Sequence, residues 1–211
     1  MCGYDAATSD MTDAALGLRT HSGWAVTVVV AGPLKVPSVI DRRRIEIADP
    51  ATPGSTQPYH AAAGLDLKAA EEFVKRCANS ATLLAERAVR AVIDNVREKN
   101  HEVIGSGILL GSGRPSSTLA ATLASHALIH TAEGELFRRA LTQAIERCGL
   151  PLTAVREREL WPRSRVDIHM TLDELQHSIT EMGRPIGPPW RQDEKHAALV
   201  GWLALADVSR R

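Results

Sequence analysis

The hydrophobic pattern of this chain changes period several times, and each change predicts an element. Residues 24–31, Trp24-Ala25-Val26-Thr27-Val28-Val29-Val30-Ala31, are β-branched and nearly unbroken in their apolarity, as in a strand covered on both faces. Before them Leu16, Leu18 and Thr20 alternate with smaller or polar residues and end at the turn His21-Ser22-Gly23. After Gly32-Pro33 and Pro37, the run from Val39 to Ile47 reads as a third strand. Two close turns make an antiparallel meander the economical arrangement. Residues 49–64 hold Pro50, Pro53, Gly54 and Pro58 and read as a long loop, long enough to carry function. Its end, Tyr59-His60, either closes over a ligand or anchors the loop on the core.

From Asp66 to Lys99 the period becomes helical. Ala70, Phe73, Cys77, Ala81, Leu84, Ala88, Val92 and Val96 form one stripe, with Asp66 as N-cap and Glu71 and Glu72 near the start. Val103 to Leu110 is a short buried strand whose glycines predict close approach by a neighbouring backbone. The loop Gly111 to Ser117 leads into a helix, with Ser117 as its cap. That helix runs through Leu119, Leu123 and Ala127, breaks near His130-Thr131, and continues through Leu136, Ala140, Ala144 and Ile145 to Gly149 and Pro151. Leu152 to Val155 is a fifth strand. Thr171-Leu172-Asp173-Glu174 matches a capping box. Beyond the Gly/Pro-rich stretch 183–190, Asp193 precedes a last helix carrying Ala197, Leu199, Val200, Leu203 and Leu205.

Composition narrows the class. With 25 basic and 25 acidic residues the chain is formally neutral, which argues against sequence-blind coating of nucleic acid by a strongly basic face. An apolar share of 44% excludes a disordered chain. Residues 14–208 read as a single domain behind a flexible tail, residues 1–13. A domain of that size buries roughly 70% of its unfolded surface and folds without staples. Cys2, Cys77 and Cys148 are widely spaced and odd in number, which reads as reduced thiols. The polar start lacks a signal-peptide pattern, and no stretch reaches the ~20 apolar residues of a bilayer span. A cytoplasmic protein without a membrane partner is expected.

Two local stretches carry a family resemblance. Gly17-Leu18-Arg19-Thr20-His21-Ser22-Gly23-Trp24-Ala25-Val26 looks like the first hairpin of the ribonuclease H-like superfamily, particularly its RuvC-type branch. Asp193-Glu194-Lys195-His196-Ala197-Ala198-Leu199 looks like that branch's final helix. The order of elements resembles it as well, which implies an α/β fold: a mixed five-stranded sheet flanked by helices. The resemblance also implies a site. In that superfamily the first strand carries an aspartate, the fourth ends near another acid and the last helix supplies a third. Together they hold two divalent cations that activate water against a phosphodiester. This chain departs from that pattern. The first-strand position is Arg19, or Thr20 if the register slips by one, and the fourth strand ends in Leu109-Leu110-Gly111 without an acid. Asp193 and Glu194 remain on the last helix, and His196 stands where an acid is expected.

Three readings follow. In the leading one the two-metal site is degenerate, and Arg19, His21, Ser112, Arg114 and His196 bind a phosphate-bearing small molecule or nucleic acid. The loop from Gly111 to Ser117 fits that idea, because it runs from a strand end into a helix N-terminus, where free N–H groups and the helix dipole favour an anion. In the second, the chain is a metal-dependent nuclease or phosphodiesterase using magnesium or manganese, with Asp193 and Glu194 joined by Glu46, Glu102 or the cluster His126, His130 and Glu133. The i, i+4, i+7 spacing of that cluster also suits zinc, but it lacks the HExxH glutamate. In the third, the long helix from Asp66 to Lys99 drives self-association, giving a homodimer. Arg42-Arg43-Arg44 reads as two solvated side chains and one inward or paired one, or as a small nucleic-acid contact patch.

Overall fold

In the computed structural model, which describes residues 11–113 and 118–210, the opening meander is β1 (Thr12–His21), β2 (Trp24–Ala31) and β3 (Ser38–Glu46). The long loop holds a short helix, α1 (Pro58–Ala62), and leads into α2 (Leu67–Glu98). Asp66 caps α2 as its sequence predicts, accepting from the Ala69 N–H at 3.0 Å. Then come β4 (His101–Leu110), α3 (Leu119–Leu123), α4 (His126–Arg147) and β5 (Leu152–Arg156). A 3₁₀ turn (Glu157–Glu159), α5 (Leu160–Ile168), α6 (Leu172–Met182) and α7 (Gln192–Ser209) complete the chain. The expected tail falls largely outside the described residues, and so do Arg114 and Ser117; Thr118, not Ser117, supplies the side chain that caps α3, accepting from the Ala121 N–H.

The sheet order is β3-β2-β1-β4-β5. β1 to β3 pair antiparallel, while β4 runs parallel to β1 and β5 parallel to β4. The mixed five-stranded sheet flanked by helices is therefore the observed architecture. Strand alternation divides the core. Ala14, Leu16, Leu18, Ala25 and Val29 pack with Ala85, Val89, Phe137 and Leu141 of α2 and α4 on one face. Val26, Val28, Val30 and Val155 pack with α5, α6 and α7 on the other. Both faces of β2 are thus covered, as its unbroken apolar run requires.

α7 is buried almost all round, from Ala197 to Ala206, because the sheet lies under it and α5 and α6 lie over it. Glycines let it approach so closely. A side chain at Gly17 would collide with the carbonyl oxygen of Ala197, and one at Gly107 with that of Val200; a Cβ at Gly201 would stand 3.0 Å from the Gly17 nitrogen. This close approach fixes the start of α7 against the ends of the strands.

Two expectations need correction, and one helix carries no advance signal. The helical segment after β4 breaks at Ala124-Ser125, not near His130-Thr131, and α4 runs unbroken through Gly134. All three of Arg42, Arg43 and Arg44 are engaged. Arg42 donates to the carbonyls of Gly187, Pro188 and Pro189, Arg43 pairs with Asp41, and Arg44 pairs with Glu46. The helix α5 carries no clear periodic signal. Trp161-Pro162-Arg163-Ser164-Arg165 is mostly polar, and Pro162 is tolerated because it lies in the first turn.

Among the described residues no helix is long and apolar enough to cross a membrane. Burial raises the Cys77 and Cys148 thiols above their ordinary pKa, consistent with inert packing.

Candidate functional site

Because β1, β4 and β5 run parallel, their C-terminal ends share one edge of the sheet, the edge at which ligands bind in open α/β folds. Alternation along β1 sends Ala14, Leu16 and Leu18 to the α4 face and the opposite parity, including Arg19 and His21, to the α7 face. The start of α7 brings Asp193 and, three residues on along the same helix face, His196 to this corner. The turn after β5 adds Glu157, which no sequence motif marks.

Arg19 is the hub. Its Nη1 lies 2.6 Å from Glu157 Oε2 and its Nε 3.4 Å from Asp193 Oδ1. His21 Nε2 lies 3.0 Å from Asp193 Oδ2, and His196 Nδ1 lies 3.7 Å from Glu157 Oε1. Four residues expected at the site from sequence, Arg19, His21, Asp193 and His196, are thus brought together. The corner is not simply cationic, however, because two carboxylates neutralise Arg19. Aromatic rings back it. His21 stacks on Trp24 at 4.1 Å and 9° between planes, and the Arg44 guanidinium lies 3.9 Å from the Trp24 ring centre. Trp161 stands edge-on to His196 at 6.4 Å.

Hydrogen bonding is incomplete. Arg19 Nε, His21 Nε2 and His196 Nδ1 are buried and lack an aligned hydrogen-bond partner, although carboxylates stand at ion-pair distance. Burial, reinforced by Arg19, lowers the His196 pKa below its ordinary value, while Glu157 and Asp193 pull weakly the other way. His196 is therefore neutral near pH 7 and offers one donor and one acceptor. Two grooves flank the network. One, of about 300 Å³, is lined by Leu110, Ser112, Arg156, Glu157 and Arg158. The other, of about 270 Å³, is lined by Trp161, Arg191, Gln192, Lys195 and His196.

Of the remaining expected residues, Ser112 lines the first of these grooves and the other described ones have different partners. Glu194 turns back to its own helix end, where its Oε2 accepts from the Arg191 N–H at 2.8 Å. Glu46 pairs with Arg44. Glu102 pairs with Arg97 at the N-terminal end of β4, the opposite edge of the sheet, so it cannot join Asp193. His126, His130 and Glu133 sit on α4, across the sheet from Arg19. His126 Nε2 and His130 Nε2 are 3.0 Å apart. Glu133 is committed to His60 of α1, whose Nδ1 lies 2.9 Å from Glu133 Oε1. The nitrogen that stands with His126 and His130 is that of His60, and Glu133 lies behind it.

The pair of divalent cations implied by the family resemblance does not fit the Arg19 corner. A hard divalent ion takes six or more oxygen ligands, several of them anionic. Among the described residues the corner supplies two carboxylates, and a guanidinium lies between them. Arg19 repels a metal and already satisfies the acids a metal would need.

The fold that these elements build is ribonuclease H-like, of the RuvC type. Two solved structures of Thermus thermophilus RuvC match it. One, in complex with Holliday junction substrate, gives a TM-score of 0.53 at 11% identity, over 93% of this chain and 95% of that one. The other gives 0.54 at 12% identity, over 93% and 96%. No protein-family model and no curated protein matches the sequence.

Proposed function

We propose that this chain is a RuvC-type ribonuclease H-like domain that binds the phosphate backbone of nucleic acid at the strand-end corner and does not cleave it by a two-metal mechanism. The observation that carries the reading is the Arg19 guanidinium, 2.6 Å from Glu157 and 3.4 Å from Asp193, in the place of the cation that such a corner would otherwise need. Arg19 Nε, His21 Nε2 and His196 Nδ1 are buried there without a hydrogen-bond partner; the guanidinium N–H is a donor, and phosphate oxygens are acceptors only.

Recruitment falls to the rims. Arg156 and Arg158 line one groove, Arg191 and Lys195 the other, and Trp161 offers a ring beside exposed cations, a combination suited to splayed or branched strands. The RuvC structure bound to a Holliday junction makes branched DNA the first substrate to try. Formal neutrality of the whole chain argues for a local contact over a broad basic coat.

The reading is tested with a four-way DNA junction and a duplex of equal length, with magnesium or manganese. Expected are a retained, uncut junction complex whose affinity falls with salt, and weaker binding by the double variant Arg191→Glu, Lys195→Glu. Binding of neither DNA defeats the proposal. Manganese-dependent cleavage that disappears in Asp193→Asn establishes the nuclease reading instead.

A further inference from the structure

We propose that His60, His126 and His130 form a binding site for a tetrahedral divalent cation, zinc before others, and that Glu133 holds His60 in the ligating state. Each imidazole offers one nitrogen, and the three lie within 4.8 Å of one another. Zinc–nitrogen bonds of about 2.0–2.1 Å place tetrahedral ligands about 3.3 Å apart. His126 and His130 are already at 3.0 Å. The site therefore needs only small side-chain rotations, and the rings of His126 and His130, both exposed, are free to make them.

The chemistry of Glu133 makes the cluster more than a chance HxxxH. Its Oε1 accepts from the His60 backbone N–H at 3.1 Å and from His60 Nδ1 at 2.9 Å. A carboxylate only accepts, so Nδ1 carries the proton and the lone pair of His60 sits on Nε2. Carboxylate-to-imidazole pairs of this kind orient metal-bound histidines and raise their basicity. Glu133 itself is 1% exposed, and its Oε2 is buried without a hydrogen-bond partner. Among the described residues no arginine or lysine lies at ion-pair distance from it, and His60 alone does. A carboxylate so placed is costly unless positive charge is near. A divalent ion on His60 supplies that charge through the ring.

The three rings also contact one another. His60 meets His126 at 5.3 Å and His130 at 4.8 Å, and His126 meets His130 at 4.4 Å, all edge to face. The ion would tie α1, at the end of the long proline-rich loop, to the start of α4. Three protein ligands leave a fourth position for water. This site lies across the sheet from Arg19 and is independent of the nucleic-acid reading.

The test uses full-length protein stripped with a chelator, then titrated with zinc chloride by calorimetry and with cobalt(II) by visible absorption. Expected are one zinc per chain, a tetrahedral cobalt spectrum, and a zinc-dependent rise in thermal midpoint. Glu133→Gln should weaken zinc about 10–100-fold, and His60→Ala and His126→Ala more. His126 is exposed, so His126→Ala keeps the fold and decides the matter even where His60→Ala does not fold. Failure of the wild type to take up stoichiometric zinc, or undiminished affinity in His126→Ala, overturns the site.

Discussion

The two faces of the sheet solve opposite electrostatic problems. On the α7 face, Glu157 and Asp193 converge and the chain supplies its own cation, Arg19. On the α4 face, the buried Glu133 forms an ion pair, among the described residues, with His60 alone, and His126 and His130 stand beside that ring. Where a guanidinium is built in, it already pairs with both acids, and the side-chain atoms left without a partner are nitrogens. Where none is built in, the unmet groups are a carboxylate oxygen and imidazole lone pairs that want a cation. On the two readings proposed above, one framework separates a corner that takes an anion from a cluster that takes a cation.

The largest blow to this contrast should come from Gly17→Val. A side chain there meets the Ala197 backbone carbonyl, and backbone cannot swing away as a side-chain tip can. A loss of about 3 kcal/mol or more is expected, measured by urea unfolding, with junction binding lost as α7 lifts from β1. Arg19→Gln leaves Glu157 and Asp193 facing each other without their cation. The pair is only partly buried, so about 1–2 kcal/mol is expected. Arg19→Asp goes further and exchanges the contrast itself. With three acids converging, manganese uptake at the corner should appear by calorimetry where the wild type shows none there; no gain means that the guanidinium is not what keeps metal out.

The smallest effect concerns pH. His196 has a lowered pKa in the folded chain, whereas the unfolded chain titrates near its ordinary value of about 6.5. The unfolded state therefore gains protons first, and stability falls as pH drops from about 6.5 toward the lower folded value. Arg19, Glu157 and Asp193 face the ring, so its contribution is read as the difference between wild type and a variant without the imidazole, below about pH 6.5. His196→Gln should make unfolding free energy fall less steeply than in the wild type as pH drops below about 6.5. An unchanged slope removes His196 as its source.

Much of the framework is legible in local sequence. The meander of β1 to β3, the Asp66 cap and the Thr171 capping box all depend on residues within a few positions of one another. Arg19, His21, Asp193 and His196 were legible as candidates through the family resemblance, which implies that the first strand and the last helix share a corner. Glu157 was not, since the register that sets Leu110 opposite Arg156 joins segments far apart in sequence. His60 escaped as a ligand for a similar reason. It lies 73 positions before Glu133, in a loop where only Pro58 at the helix start hints that the next residues turn inward. The glycines of β4 did announce a close backbone neighbour, and that neighbour is α7.

The most direct measurement places wild type and Asp193→Asn side by side on a labelled four-way junction in manganese, read both by gel mobility and by strand length. Retarded junction with intact strands for the wild type is the expected result. Shortened strands that vanish with Asp193→Asn would contradict it, because the corner would then hold a working metal in spite of Arg19.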